Sequence, residues 1–302
     1  MQIRYNSFSS FLRNKFPGEK IRKIPINAGF QCPNKNGDIS DEGCIFCDNY
    51  GSGPIKTFTK SIRKQIEIFT SVNKGKKFIA YYQAHTNTYA SKEEIEEKYG
   101  IPFEYKDIVG LFIGTRPDSI AENIYPVIEK IADKTYLAVE LGLQSIHAKS
   151  LDLLNRNHSY EQFLNTFNRL KSAGIDVIVH LIVGIPGEKK SDMLATVKEM
   201  NRIKPAGVKF HLLHVLKNTK LFDMYEDGKI KLMEKEDYID TIIELLASLD
   251  KEIVVHRITG DRDSEIFHAP EWAADKVNVI NEIHNRMEEL DLHQGELIKI
   301  VD

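Results

Sequence analysis

The three cysteines of the chain, Cys32, Cys44 and Cys47, fall inside sixteen residues in a C-x11-C-x2-C pattern, and the other 286 residues carry no thiol. Thiols confined to one loop act together. Three thiolates can ligate an iron–sulfur cluster that keeps one iron open for another ligand. They can instead hold structural zinc, with His85 or His158 as the fourth ligand. As a third reading, Cys44 and Cys47 form a redox C-x-x-C pair and leave Cys32 unused. Iron–sulfur ligation is the reading that accounts for all three cysteines and for the lack of a fourth.

The elements that must position this loop follow from hydrophobic periodicity. Strands are expected at Lys23–Asn27, Lys77–Gln83, Ile108–Thr115, Thr135–Leu143, Asp176–Val183 and Gly207–His214. Between them lie helical patterns: Thr59–Val72, a short acidic helix opened by the Ser91-x-x-Glu94 capping box, Ser119–Ala132 broken at Pro126, Ser145–Leu154, Tyr160–Ala173 and Ser191–Ile203. Strands alternating with helices mean a parallel sheet buried on both faces, and six units in about 210 residues suit an open, partial (β/α)6 barrel. A helix at Glu234–Leu249, a strand at Ile253–Ile258 and a helix at Asp275–Leu290 form a C-terminal α/β extension. The expected division is a basic segment over residues 1–22, the barrel over 23–225 and the extension over 226–302.

In β/α barrels chemistry collects where strands end. The expected strand ends carry the cysteines, Gln83 to Thr88, Thr115 to Asp118, Glu140 and Gln144 followed by Arg156 and His158, His180 followed by Gly184 to Glu188, His211, His214, Lys217 and Thr219, and finally His256, Arg257 and Asp261. A lone His or Arg at such a place is most often a surface or capping residue. Glu140 and His180 differ, because they interrupt runs that should be buried, and a buried charge needs a partner or a function. Gly184-Ile185-Pro186-Gly187 serves either as a tight turn or as backbone brought close to a flat ligand such as adenine.

Composition narrows the classes. At 302 residues and 42% hydrophobic, the chain can bury a large core, and no apolar run is long enough for a membrane span. The N-terminal MQIRYNSFSSFLRNKF lacks an apolar signal core, and an odd cysteine count argues against a disulfide framework; both point to a reduced, cytoplasmic setting. Net charge is −3, yet residues 1–77 hold 14 Lys and Arg against 6 Asp and Glu, leaving the remainder strongly acidic. Such asymmetry marks either a face for a polyanion or merely solvated helices.

CPNKNG with GCIFC, YYQAHTNTYA, GTRPD, VELGLQS, NRNHS, GIPGE, HLLHVLKNT and VHRITGD occur in that order. On these motifs, from about Tyr5 to Gly260, the chain resembles the radical S-adenosylmethionine (SAM) enzymes. The resemblance is greatest to the YhcC/YtqA-like group, relatives of the radical SAM domain of the Elongator catalytic subunit. Two features depart from the superfamily pattern: x11 replaces the commoner x3 before the second cysteine, and Gln83-Ala84-His85 stands where Gly-Gly-Glu is usual. The resemblance implies a [4Fe-4S] cluster on Cys32, Cys44 and Cys47 whose open iron takes SAM, reductive cleavage of SAM and hydrogen abstraction from a substrate. It places Gln83, Thr86 and Asn87 near the methionyl amino group, Arg156 at its carboxylate, Glu140 at the ribose or methionyl end, Gln144 nearby and Ile185 at the adenine.

The resemblance also implies a reductase such as flavodoxin or ferredoxin, and the wobble uridine of tRNA as substrate, remodelled from the carboxymethylaminomethyl to the aminomethyl form. His180, His211, His214, Lys217, His256 and Arg257 would form a cationic rim for a carboxylate or phosphate. Arg13, Lys15, Arg22 and Lys23 would meet RNA phosphates, and Tyr5, Phe8 and Phe11 would stack on bases. A small carboxylated metabolite fits the same rim. The competing class is a zinc-stabilised nucleic-acid-binding protein without catalysis.

Overall fold

Alternate residues along the central strands enter different environments, as a strand buried on both faces requires. Ala80, Tyr82, Val139, Leu141, Val179, Leu181, Val208 and Phe210 belong to the core beneath the helices. Ile79, Tyr81, Phe112, Ala138 and Ile178 gather in a separate cluster inside the sheet. The computed structural model describes residues 3–51, 53, 55–260 and 265–298. Asp261 lies outside the described residues.

In chain order the elements are α1 (Phe8–Lys15), β1 (Ile21–Ile26), α2 (Ile62–Ser71), β2 (Lys77–Tyr82), α3 (Lys92–Gly100), β3 (Ile108–Thr115), α4 (Tyr125–Ala132), β4 (Tyr136–Gln144) and α5 (Ala148–Leu153). There follow α6 (Tyr160–Ser172), β5 (Asp176–Val183), α7 (Lys190–Ile203), β6 (Gly207–Leu212), β7 (Val215–Leu216), α8 (Lys220–Glu226), α9 (Lys235–Ala247), β8 (Val254–Arg257), β9 (Phe267–Ala269) and α10 (Lys276–Glu289). Side chains of Ser61, Ser91, Ser159 and Thr219 cap α2, α3, α6 and α8, and Gln162 completes a capping box on α6.

Seven strands form one parallel sheet in the order β1-β2-β3-β4-β5-β6-β8. The six expected strands are present, and the strand expected near Ile253–Ile258 joins them as the seventh. Contacts between inward side chains show how far the sheet curls: Lys23 on β1 reaches Glu140 on β4, and Lys209 on β6 reaches Tyr81 on β2. The architecture is an open β/α half-barrel. β7 and β9 pair antiparallel in a small second sheet.

Two local expectations are corrected. Pro126 does not break a helix; it occupies the first turn of α4, where a missing N–H costs nothing. The segment before β1 is not a basic arm offering aromatic rings. The Val255 amide donates to Asn6 O at 2.8 Å, Phe8 stacks on His256 at 4.1 Å, and Leu12 is buried against the inner face of the sheet. Tyr5 meets His284, and Phe11 packs near Tyr136. Phe8 and Phe11 pack into the cluster that closes the base of the barrel, and Tyr5 packs on the outer core, so all three rings are engaged within the protein. Lys23 likewise points inward to Glu140 rather than outward to a phosphate.

Candidate active site

The cysteine loop is irregular, so its shape depends on what grips it. Ile45 N–H donates to Leu154 O at 3.2 Å, Leu221 N–H to Ile45 O at 2.8 Å, and Asn155 Nδ2 to Gly43 O at 2.6 Å. Asn155 and Asn157 have φ of 52° and 54°, a left-handed conformation that asparagine tolerates better than most residues. Between them, Arg156 turns inward and uses its whole guanidinium on neighbours. Nη1 donates to Cys44 Sγ at 3.2 Å, Nη2 to Gly142 O at 2.6 Å, and Nε to His158 Nε2 at 3.2 Å. The approach is close: a Cβ at position 142 would lie 3.0 Å from Arg156 Nη2, so the guanidinium would have to shift to admit one.

All three cysteines line one cavity at the strand ends, together with Gln83, His85, Thr86, Gln144 and Arg156. Its interior is layered. At the base the inner face is apolar and closed by Phe8 and Leu12. One inward position higher, Glu140 is fully buried and accepts from Lys23 Nζ at 3.0 Å, from His180 Nε2 at 2.8 Å and from Lys209 Nζ. Lys209 Nζ also lies 3.3 Å from the Tyr81 hydroxyl. Burial alone would raise the Glu140 pKa, but the Lys209 and Lys23 ammonium groups hold it well below the usual carboxylate range. Burial pushes Lys209 well below its ordinary value, and it pushes His180 down to about 4, so that imidazole is neutral at pH 7. Glu140 can only accept, so His180 Nε2 carries the proton. Among the described lining residues Glu140 is the one carboxylate, against Lys209, Arg116, Arg156 and Arg257.

Of the residues to which the resemblance or the cationic rim gives a site role, Cys32, Cys44, Cys47, Gln83, Thr86, Glu140, Gln144, Arg156, His180, His211, His214 and Arg257 line this cavity. Four do not. Asn87 is buried and ties β2 to β3 through Tyr82 O and Gly114 O. Ile185 packs in an apolar cluster with Leu154 and Leu213. His256 sits at the base under Phe8, and Lys217 is exposed beyond the wall. Two polar lining residues, Tyr81 and Lys209, carry no expectation from the sequence, and Arg116 enters there only as part of the strand-end run Thr115 to Asp118. Lys209 interrupts an apolar strand just as His180 does, and that signal could have found it.

The donor set fits the implied cofactors: all three thiols line one shared cavity, with room between them for a group of several atoms. Thr86 Oγ1 and Arg116 Nη1, on lining residues, are buried without a partner within the protein. Arg116 is held by Asp118 through Nε and Nη2 at 2.9 and 2.7 Å, which leaves Nη1 for an anionic group.

Comparisons with known proteins agree. Residues 37–200 match the model of the radical SAM superfamily, and residues 205–289 match that of the Radical_SAM C-terminal domain. The chain is 35% identical to YtqA of Bacillus subtilis, over 98% of this chain and 93% of that protein. It is 32% identical to YhcC of Escherichia coli K12, over 91% and 90%. It is also 30% identical to the tRNA uridine(34) acetyltransferase of Methanocaldococcus jannaschii, over 57% of this chain and 32% of that one. Among solved structures, Elp3 of Methanocaldococcus infernus superposes with a TM-score of 0.67 at 22% identity, covering 91% of this chain and 64% of that one. The chain belongs to the radical SAM superfamily and is an enzyme that uses a [4Fe-4S] cluster and S-adenosylmethionine.

Proposed function

We propose that the enzyme acts on a modified uridine at the wobble position of tRNA, converting a carboxymethylaminomethyl substituent to the aminomethyl form. The observation that carries this reading is the pair of cations Lys209 and Arg257 in the lining of the cavity that the thiols share, with the neutral imidazoles of His180 and His211 beside them as hydrogen-bonding groups. A substrate carboxylate would meet cationic and hydrogen-bonding groups there. The uridine comes from the partial match to a tRNA uridine(34) acetyltransferase. That match spans 32% of the relative, so no acetyl transfer is carried over.

In this reading Cys32, Cys44 and Cys47 hold the cluster, Gln83 and Thr86 meet the methionyl amino group, and Arg116, through its unpartnered Nη1, takes the methionyl carboxylate in place of Arg156, whose guanidinium is engaged by Cys44, Gly142 and His158. Glu140 organises the lysines instead of meeting the ribose, because its two oxygens are already taken. When bound, the cluster and SAM supply one-electron cleavage of the sulfonium and hydrogen-atom abstraction. A flavodoxin or ferredoxin supplies the electron. His180, His211 and Arg257 orient the carboxylate, while the Phe8 stopper keeps water from entering through the base of the barrel.

The phosphate contacts move as well. Lys15 lies over Tyr136, which opens β4, and Arg22 bonds Asn73 just before β2, so both sit at the strand-start end, away from the mouth. Exposed Lys56 and Lys60, after the cysteine loop, and Lys217 are the better candidates. The test is deoxyadenosine formation by the reconstituted enzyme with tRNA bearing the precursor uridine. Expected are stimulation by that tRNA, affinity that falls steeply with salt, and weaker binding when Lys56, Lys60 and Lys217 are changed together to Gln. Stimulation by a small carboxylated molecule and none by precursor tRNA would overturn the RNA assignment and leave the family chemistry intact.

A further inference from the structure

The three cysteine ligands are not equivalent. Two buried side chains donate to Cys44 Sγ: Arg156 Nη1 at 3.2 Å and Asn34 Nδ2 at 3.5 Å. No side-chain N–H is found on Cys32 Sγ or Cys47 Sγ among the described contacts. Neither donor is there by default. Asn34 has no exposed surface, its Nδ2 also donates to Asn155 O at 2.8 Å, and its Oδ1 accepts from Asn157 Nδ2 at 2.8 Å. Arg156 is fixed by Gly142 O, by His158 and by the left-handed turns on either side of it. The asparagines of the NRNH segment therefore aim one amide and one guanidinium at a single sulfur.

Hydrogen bonds to a ligating sulfur draw electron density from it and stabilise the reduced cluster, which raises the reduction potential. A guanidinium adds its charge in a buried, low-dielectric setting where that charge acts strongly. We propose that Asn34 and Arg156 are positioning residues that set the potential of the cluster through Cys44. This rests on the cluster and not on the identity of the substrate. In a half-barrel open at its mouth, the pair makes one-electron reduction easier for a physiological donor.

The test uses the full chain, reconstituted anaerobically, with iron analysis and a redox titration followed by electron paramagnetic resonance. The variants are Asn34→Ala and Arg156→Gln, the second of which keeps an N–H donor but removes the charge. Asn36→Ala is the control, an exposed residue of the same loop that bonds Tyr89 and no sulfur. Expected is a lower midpoint potential in both variants with iron retained, by about 59 mV for each tenfold loss in the one-electron equilibrium. The control should not move. Unchanged potentials in iron-loaded variants would overturn the inference. Loss of iron from both variants would also overturn it, because the contacts would then only hold the loop. Wild-type protein that takes up no iron would point to failure of the cluster assignment itself.

Discussion

Glu140→Gln removes the one carboxylate among the described residues that line the cavity and leaves a side chain of nearly the same shape. In the wild type the carboxylate accepts from Lys23, His180 and Lys209. The variant keeps one carbonyl oxygen, turns the other acceptor into a donor, and leaves two ammonium groups inside the barrel. Breaking a buried pair from one side costs about 3–5 kcal/mol, which corresponds to a fall in Tm of roughly 5–15 °C for a domain of this size. The sign of the pH dependence follows from the lysines. Burial already lowers Lys23 and Lys209 in the wild type, and without Glu140 both fall further below the unfolded value of about 10.4. Between pH 7 and 10 the unfolded variant then binds more protons than the folded one, so its stability rises with pH and its deficit against wild type shrinks. Urea unfolding at pH 7, 8.5 and 10 measures this directly. Adding Lys209→Met to the variant should recover part of the loss. A deficit below about 1 kcal/mol at pH 7, or one that widens towards pH 10, would refute the charge layer described above.

Changing Cys32, Cys44 or Cys47 singly to Ala should reduce bound iron from about four per chain to near zero with the circular dichroism unchanged; a coloured, iron-loaded variant would show that the altered thiol is not a ligand. Arg116→Ala should weaken SAM binding roughly 10- to 100-fold, the worth of a charge-assisted contact, without loss of iron, as read by calorimetry on the reconstituted enzyme; unchanged affinity would place the carboxylate elsewhere. Leu12→Ala should cost about 2–4 kcal/mol in urea unfolding, because Leu12 is buried against the inner face of the sheet; a change within 0.5 kcal/mol, as expected of a surface site, would mean that α1 is only loosely docked.

The cysteine loop, the strand order and most of the cavity wall were legible in the chain because each depends on local signals. The apolar run in DVIVHLIV fixes β5, and its one interruption marks His180 as an inward polar group. The stopper was not legible. The spacing of Phe8, Phe11 and Leu12 is helical, but nothing near them in sequence says what they cover, since their partners are Phe112, Tyr136 and His256. Lys23 was misplaced for the same reason: next to Arg22 it looks like surface charge, and only the curl of the sheet brings it to Glu140. Arg156 was expected to face a ligand as a single charge, yet its orientation is set by Gly142 and Cys44, 14 and 112 residues away. Faces can be read locally, whereas the partners of those faces depend on closure.

The docking of α1 against β8 has a consequence for how the protein is made. The helix leaves the ribosome roughly 240 residues ahead of the strand that seats it, a delay of about 10–50 s at ordinary elongation rates. During that interval β1 to β6 can pair in sequence, while Phe8 has no His256 to stack on and Asn6 has no Val255 amide to receive. The base of the barrel therefore closes last, after the cysteine loop and its asparagine grip are complete. Nascent chains stalled before Val254 should be cut by protease within residues 3–20, and chains released after Gln294 has joined Arg4 should resist. The first helix is thus seated only when the last strand of the sheet has arrived.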